Sequence, residues 1–377
     1  MHNRQVIVFA ERNARSRYFE GVLPELAAAD WSPTFISVGP TGPLHVALRR
    51  LGIPGSGLGT EAAIDYPLAA FRFRRVVRRS KPVLVHAHES IAGVIAGLGL
   101  RGTSVPVLFH RHHTAFADRT QARLSRLATR LTDFTLAVSA DAAAGALSVD
   151  RAQSERVGIA LNGLDVPAVQ SQASAREQLQ IPAQTRLIGV VGHLRPEKGH
   201  AVLLDALTRL REAEATNTMV LVVGDGPLRH DLESRARSSS IQVRFAGHQD
   251  DVGLYLAAFD VAVVPSHSES FGLVALEALA TETPLVASNV GGLAEILSHE
   301  RDALLVTPGD PTALAAALTR VFDDDALRDR MTTNGRLTYQ GRYTSRAMAH
   351  RWSDAYSELL SRHPTRLPST AASRVRN

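Results

Sequence analysis

The stretch RLIGVVGHLRPEKGHAVLLDALTRLREAE (186–214) decides the fold. It opens on a nearly unbroken apolar run, RLIGVVG (186–192), turns through the polar HLRPEKGH (193–200) and continues with a helical period over Ala201–Glu214. A strand that is apolar on both faces has to be covered on both faces, and a helix that follows it can do so. The same unit recurs on either side. Downstream come MVLVVG (219–224), a helical period over Pro227–Arg237, IQVRFAG (241–247), DVAVVPS (260–266) and PLVAS (284–288). Upstream stand QVIVFA (5–10), PTFISV (33–38), PVLVHA (82–87), PVLFH (106–110) and FTLAV (134–138). Strands alternating with helices in two series predict an α/β fold of two Rossmann-like parallel sheets.

A chain of 377 residues exceeds the size at which one hydrophobic core usually stops growing, which also favours two domains. Turn formers and small polar residues interrupt the alternation in NGLDVPAVQSQASAREQ (162–178). The expected division is an N-terminal domain over 1–165 and a second over 166–343, with a helix over 344–362 packing back onto the first. RHPTRLPSTAASRVRN (362–377) has little apolar content and two prolines, so 363–377 is expected to be a disordered tail. Ligands of such sheets sit beyond the carboxyl ends of the strands, so functional residues should follow the apolar runs, in a cleft between the domains.

Composition narrows the classes. No window reaches the eighteen or so apolar residues of a spanning helix, and the start breaks into charge too early for a secretory signal. The absence of cysteine excludes disulfides, thiolate metal sites and a cysteine nucleophile, and fits a cytoplasmic protein. Residues 1–166 hold 20 Lys+Arg against 13 Asp+Glu, a net of +7, whereas the remainder holds 22 against 24. The basic first half attracts anionic partners without choosing among them. Nucleic acid is disfavoured, since no recognised module or aromatic platform accompanies the charge.

Within AAFDVAVVPSHSESFGLVALEALATETPLVASNVGGLAEI (257–296), a strand ending at Pro265 leads through a polar loop into a helix expected over Phe271–Ala280. Leu273, Leu276 and Leu279 are then available to the core. Glu269 precedes the helix, and Glu277 lies on it. The amides of Phe271, Gly272 and Leu273 would be free donors at a helix start, where phosphate is favoured. A capped helix explains the same residues: Ser268 or Ser270 as cap, Glu269 beside a positive terminus, Glu277 solvated. HLRPEKGH places Arg195 and Lys198 at a strand-to-helix turn closed by Gly199, able to hold a diphosphate or simply exposed. LVVGDGPLRHDLE (221–233) adds a glycine turn of little specificity.

Taken in order, VHAHES, the strand ending near His112, LAVSADAAAGAL, NGLD, VVGHLRPEKGH, LVVGDGPLRHDL, VRFAGHQDDVGLYLAAFDVAVVPS, the Glu-x7-Glu segment and PLVASNVGGLAEIL resemble the retaining glycosyltransferases of the GT-B fold, family 4. The resemblance implies a nucleotide-sugar donor of UDP or GDP type, held mainly by the second domain, and a glycan or lipid-linked acceptor. It implies that Glu277 binds the ribose hydroxyls, that Glu269 lies by the donor sugar and that the amides of Phe271, Gly272 and Leu273 meet sugar and phosphates. Arg195 and Lys198 would offset charge on the leaving diphosphate, Gly247 and His248 would lie near the nucleobase, and His112 would stand beside the sugar as a catalytic residue with Glu269. Neither a metal nor another cofactor is implied. The Asp-x-Asp that holds a divalent ion in GT-A enzymes has no counterpart after an apolar strand here.

The chain departs from the family pattern in two places. His193 follows Gly192, the glycine of the first loop of the second domain, where arginine is common, and ERNARSRYFEG (11–21) has no glycine before Gly21. In HRHH (110–113), residues adjacent along a strand point to opposite faces, which argues against a metal site there. His86, His88 and Glu89 end another strand, in a structural or an acceptor-side role. FRFRRVVRRSKP (71–82) interleaves Phe71, Phe73, Val76 and Val77 with cations, either as an ordinary surface helix or as a peripheral contact with an anionic membrane. A nucleotide-sugar epimerase or phosphorylase on the same fold, and a non-catalytic nucleotide-sugar-binding protein, are the competing functions.

Overall fold

The computed structural model describes residues 4–11, 13–60, 65–114, 118–166, 170–210 and 216–362. The expected tail over 363–377 and the end of the helix expected over Ala201–Glu214 lie outside them. The chain divides into two compact units. The first runs through Val138, includes Ala142–Leu161 and takes up the chain again from Met348; the second comprises Ser139–Asp141 and Asn162–Ala347.

The sheet of the first unit contains β1 (Arg4–Ala10), β2 (Trp31–Ser37), β3 (Gly55–Gly57), β4 (Leu84–His88), β5 (Val107–Arg111), β6 (Phe134–Ala137) and β7 (Val157–Ile159). They lie in the order β3-β2-β1-β4-β5-β6-β7, all parallel. Alternation along β1 serves two cores. Val6, Val8 and Ala10 pack with Leu26, Trp352 and Tyr356, whereas Ile7 and Phe9 pack with Phe73, Val77 and Ile95. Trp352 and Tyr356 belong to the helix Ser345–Ser361, which thereby covers one face of this sheet.

The sheet of the second unit contains β8 (Arg186–Val191), β9 (Thr218–Val223), β10 (Gln242–Gly247), β11 (Val261–Val264), β12 (Leu285–Ser288) and β13 (Leu304–Val306), in the order β10-β9-β8-β11-β12-β13 and again all parallel. Ile188 and Val190 face Leu203, Leu207 and Leu318. On the opposite face Gly189 leaves room for Phe259, whose ring would lie 1.9 Å from an added Cβ. Both sheets are thus the Rossmann-like parallel units that the apolar runs predict.

Three strands of only three residues each, β3, β7 and β13, add to those expected from the longer apolar runs. The helix in the second series covers His200–Leu207, and the one after β9 covers Arg229–Ala236. A larger correction concerns FRFRRVVRRSKP. In the helix Tyr66–Ser80, Phe73 and Val77 are core residues, and Phe9 stacks on Phe73 at 4.2 Å. Burying a phenylalanine contributes about 1.5–3 kcal/mol, so Phe73 is held inside and is not available to a membrane. Arg74 is engaged too, donating to the carbonyls of Gly99 and Arg101.

Candidate functional site

The candidate site in the second unit is built from loops that follow its strands. After β8, the turn Pro196–Lys198 ends at Gly199, with φ +67°, and a Cβ there would lie 1.9 Å from the carbonyl oxygen of Pro265. Only glycine allows the turn after β8 to press so closely on the loop after β11. The two loops are also bonded, the amide of His267 donating to the carbonyl of Glu197 at 2.8 Å. The loop after β9 is fastened in turn, since Leu194 donates to Asp225 and Leu228 to Leu194, at 3.0 and 3.1 Å.

This fastening brings two separately inferred residues into contact. Lys198 Nζ lies 2.5 Å from Glu269 Oε2, and the same oxygen accepts from Ser266 Oγ at 3.2 Å. The lysine side chain is 29% exposed and the glutamate 13%, so solvent reaches the cation more than the carboxylate. Lys198 and Glu269, singled out separately in the sequence, thus form an ion pair. Arg195 is exposed, and its side chain has no partner among the described residues. Directly behind the turn, His200 is buried, with both ring nitrogens unpartnered. Burial, and then the charge of Lys198, lower its pKa to about 4.

The helix after Glu269 begins later than the sequence suggests, at Leu273, and extends to Ala280. Its cap is neither Ser268 nor Ser270 but Gly272, at φ +100°, over which Leu293 packs so closely that a Cβ would meet its side chain at 2.5 Å. Phe271, Gly272 and Leu273 donate no backbone hydrogen bond among the described residues. Orphan amides at a helix start, two cations and a carboxylate make a site suited to a phosphorylated ligand. Leu273 is 38% exposed, unlike the buried Leu276 and Leu279, and so stands at this site and not in the core. Glu277 is half-buried on the same helix.

Gly247 ends β10 at φ +71°, where the register with β9 slips, and its carbonyl accepts from Gly224 at 2.8 Å. His248 is exposed beside Asp250 Oδ1 at 3.5 Å. Gly247 and His248 stand at the carboxyl end of their strand, as Lys198 and Glu269 follow the carboxyl ends of β8 and β11.

The first unit carries a feature of which the sequence shows only fragments. His86 and His88 alternate onto one face of β4, His110 and His112 do the same at the end of β5, and the pairing sets His88 opposite His110. His86 Nε2 lies 3.0 Å from His110 Nδ1, and His88 Nδ1 lies 3.0 Å from His112 Nε2. Tyr356 OH meets His86 Nδ1 at 2.6 Å, Trp352 packs across His86, His88 and His110, and Tyr18 stands edge-on to His88 and His112. Burial lowers the pKa of all four histidines, with repulsion from neighbouring imidazoles second; for His112 the value falls to about 3. All are neutral at ordinary pH.

Facing alternation does separate His110 from Arg111, which turns away to pair with buried Asp150 at 2.7 Å. It does not separate His110 from the β4 histidines. Nitrogens of His86, His88 and His110 lie within 4.8 Å of one another, a spacing that could hold a metal ion. Two of those rings, His86 and His110, hydrogen-bond each other, so the cluster as it stands is a hydrogen-bonded one. Tyr18 and Ser266 were missed in the sequence, because neither residue type in isolation signals a site.

Two Rossmann-like parallel sheets, with a phosphate-suited loop cluster at the carboxyl ends of the second, are the parts of the GT-B fold. A model of the glycosyl transferases group 1 matches residues 171–338, and one of Glycosyltransferase Family 4 matches residues 16–167. The D-inositol 3-phosphate glycosyltransferase of Salinispora tropica is 30% identical in a match covering 98% of this chain and 83% of that one. The chain belongs to the group 1, family 4 glycosyltransferases. The lipopolysaccharide core biosynthesis glycosyltransferase LpsD of Rhizobium meliloti is 36% identical, over 50% of this chain and about half, 53%, of its own length. In fold the chain is similar to Anabaena Alr3699/HepE in complex with UDP and glucose, with a TM-score of 0.79, 21% identity and coverage of 94% and 100%. Among the described residues no helix is long and apolar enough to cross a membrane.

Proposed function

We propose that this glycosyltransferase moves a sugar from a UDP- or GDP-type donor to a glycan or lipid-linked acceptor, with retention of configuration and without a metal. The observation that carries the proposal is the Lys198–Glu269 pair beside the orphan amides of Phe271–Leu273 and the unpaired Arg195. When the glycosyl–phosphate bond breaks, negative charge grows on the departing phosphate. Donors fixed in advance around it stabilise the transition state more than the ground state. The acceptor oxygen bonds to the anomeric carbon on the face the phosphate leaves, and the phosphate takes the acceptor proton. Glu269 keeps Lys198 in place and lies by the sugar, Glu277 binds the ribose, Gly247 and His248 border the base, and the first unit supplies His112.

UDP stands in the Anabaena relative, which makes UDP-sugars the first donors to try. A donor that binds only the folded chain at a hundred times its Kd stabilises it by about 2.7 kcal/mol. Thermal unfolding with UDP- and GDP-sugars, in the presence of EDTA, should therefore show a clear rise with one of them. No rise with any nucleotide sugar sinks the proposal, and a rise that needs a divalent ion removes its metal-free part.

Peripheral attachment is proposed in a reduced form. On the helix Tyr66–Ser80 the outward residues Leu68, Phe71, Arg75, Arg78 and Arg79 remain available, with Phe71 58% and Leu68 45% exposed. Each basic residue near an anionic surface adds about 1 kcal/mol. Vesicles with phosphatidylserine should bind the chain in low salt and lose it on neutralising Arg75, Arg78 and Arg79; equal binding by the variant removes the contact.

A further inference from the structure

We propose that His88 fixes the tautomer of His112, so that His112 offers an Nδ1–H donor, and not a lone pair, on its open side. A neutral imidazole carries one proton, and its place follows from the bonds that the two nitrogens can make. His88 Nε2 is buried and has no partner among the described residues, whereas His88 Nδ1 faces His112 Nε2 at 3.0 Å. A proton on Nε2 would be a buried donor with nothing to receive it, an arrangement that proteins avoid more strictly than an unused acceptor. The proton therefore sits on Nδ1 and is donated to His112 Nε2. That nitrogen must then be the acceptor, which leaves the proton of His112 on Nδ1.

The surroundings reinforce this polarity. Tyr18 and Trp352 pack on the pair as rings, His86 and His110 are engaged with each other, and no carboxylate bonds to either imidazole among the described residues. Nothing there competes to pull the proton back to His112 Nε2. His112 is half-buried, and its Nδ1 has no partner among the described residues, so it is the ring nitrogen left for a ligand. An Nδ1–H there donates to a sugar hydroxyl or phosphate oxygen and cannot act as a base. Its use by substrate rests on the proposed function; the tautomer itself does not. His88 is thus a positioning residue, acting through His112.

Imidazole 15N NMR of the ligand-free full chain reads the tautomer directly, with the His112 signal assigned by its loss in His112→Gln. The expected result, read above neutral pH so that His112 is uncharged, is His112 protonated on Nδ1 in the native chain. In His88→Asp a carboxylate, which only accepts, takes the place of the Nδ1–H donor, and the proton of His112 should move to Nε2. Should His88→Asp not fold, the native chain decides. An Nε2–H His112 in the native chain, or an Nδ1–H His112 in a folded His88→Asp, overturns the proposal. Full sugar transfer by His112→Gln would instead remove the substrate-side role of His112 and leave the tautomer standing.

Discussion

Replacing Lys198 with Ala is expected to lower kcat about 10²–10³-fold, the loss typical when one preorganised donor to a developing oxyanion is removed. The ammonium acts in the transition state, where the leaving phosphate gains charge, so KM should change far less than kcat. Lys198→Ala also leaves the Glu269 carboxylate, 13% exposed, without its cation, and some loss of stability will accompany the kinetic one. Arg195→Ala provides the control. The Arg195 side chain has no protein partner among the described residues, so its removal should slow turnover without moving the unfolding midpoint. Steady-state rates with the donor found by thermal unfolding check both. A Lys198→Ala enzyme within about threefold of the native kcat rules out the charge-offset role.

The second large effect is on stability in acid. His86, His88, His110 and His112 are neutral in the fold because burial lowers their pKa, to about 3 for His112. In the unfolded chain a histidine titrates near 6.5. Between those values the unfolded chain binds more protons than the folded one, so stability is full above about pH 6.5 and falls as the pH drops. From pH 7 to 5.5 each such histidine costs about 1.3 kcal/mol, so the four together cost about 5 kcal/mol. That is comparable to the whole stability of many domains.

Tyr18 and Tyr356, which pack against the cluster, are held neutral by burial and do not offset this loss. Among the described residues the second unit has one such group, His200, and should suffer less. Both tryptophans, Trp31 and Trp352, lie in the core of the first unit, so tryptophan fluorescence in urea follows that unit specifically. Its midpoint should drop sharply between pH 7 and pH 5.5. An unchanged midpoint would mean that the cluster takes up protons without unfolding.

The apolar runs from QVIVFA to PLVAS became parallel strands because a residue run apolar on both faces has few other stable places to go. β3, with the sequence Gly-Ser-Gly, could not be read in that way, since its edge position is set by its bonds to β2 and not by hydrophobicity. In FRFRRVVRRSKP, Phe71 and Phe73 look alike in composition; only packing against Phe9 puts one inside and leaves the other 58% exposed. The beginning of the helix at Leu273 was equally hidden, because it depends on Leu293 closing over Gly272.

The sequence by itself determined the α/β class, the two strand series, the family and the identity of Glu269, Glu277, Arg195 and Lys198 as residues worth following. Those features depend on local periodicity and on motifs short enough to be read along the chain. Only the tertiary structure decided that Lys198 pairs with Glu269 across 71 positions, and that His88 meets His112 across 24. Both contacts join the ends of different strands. Parallel pairing and its register, which no single strand specifies, bring those ends together.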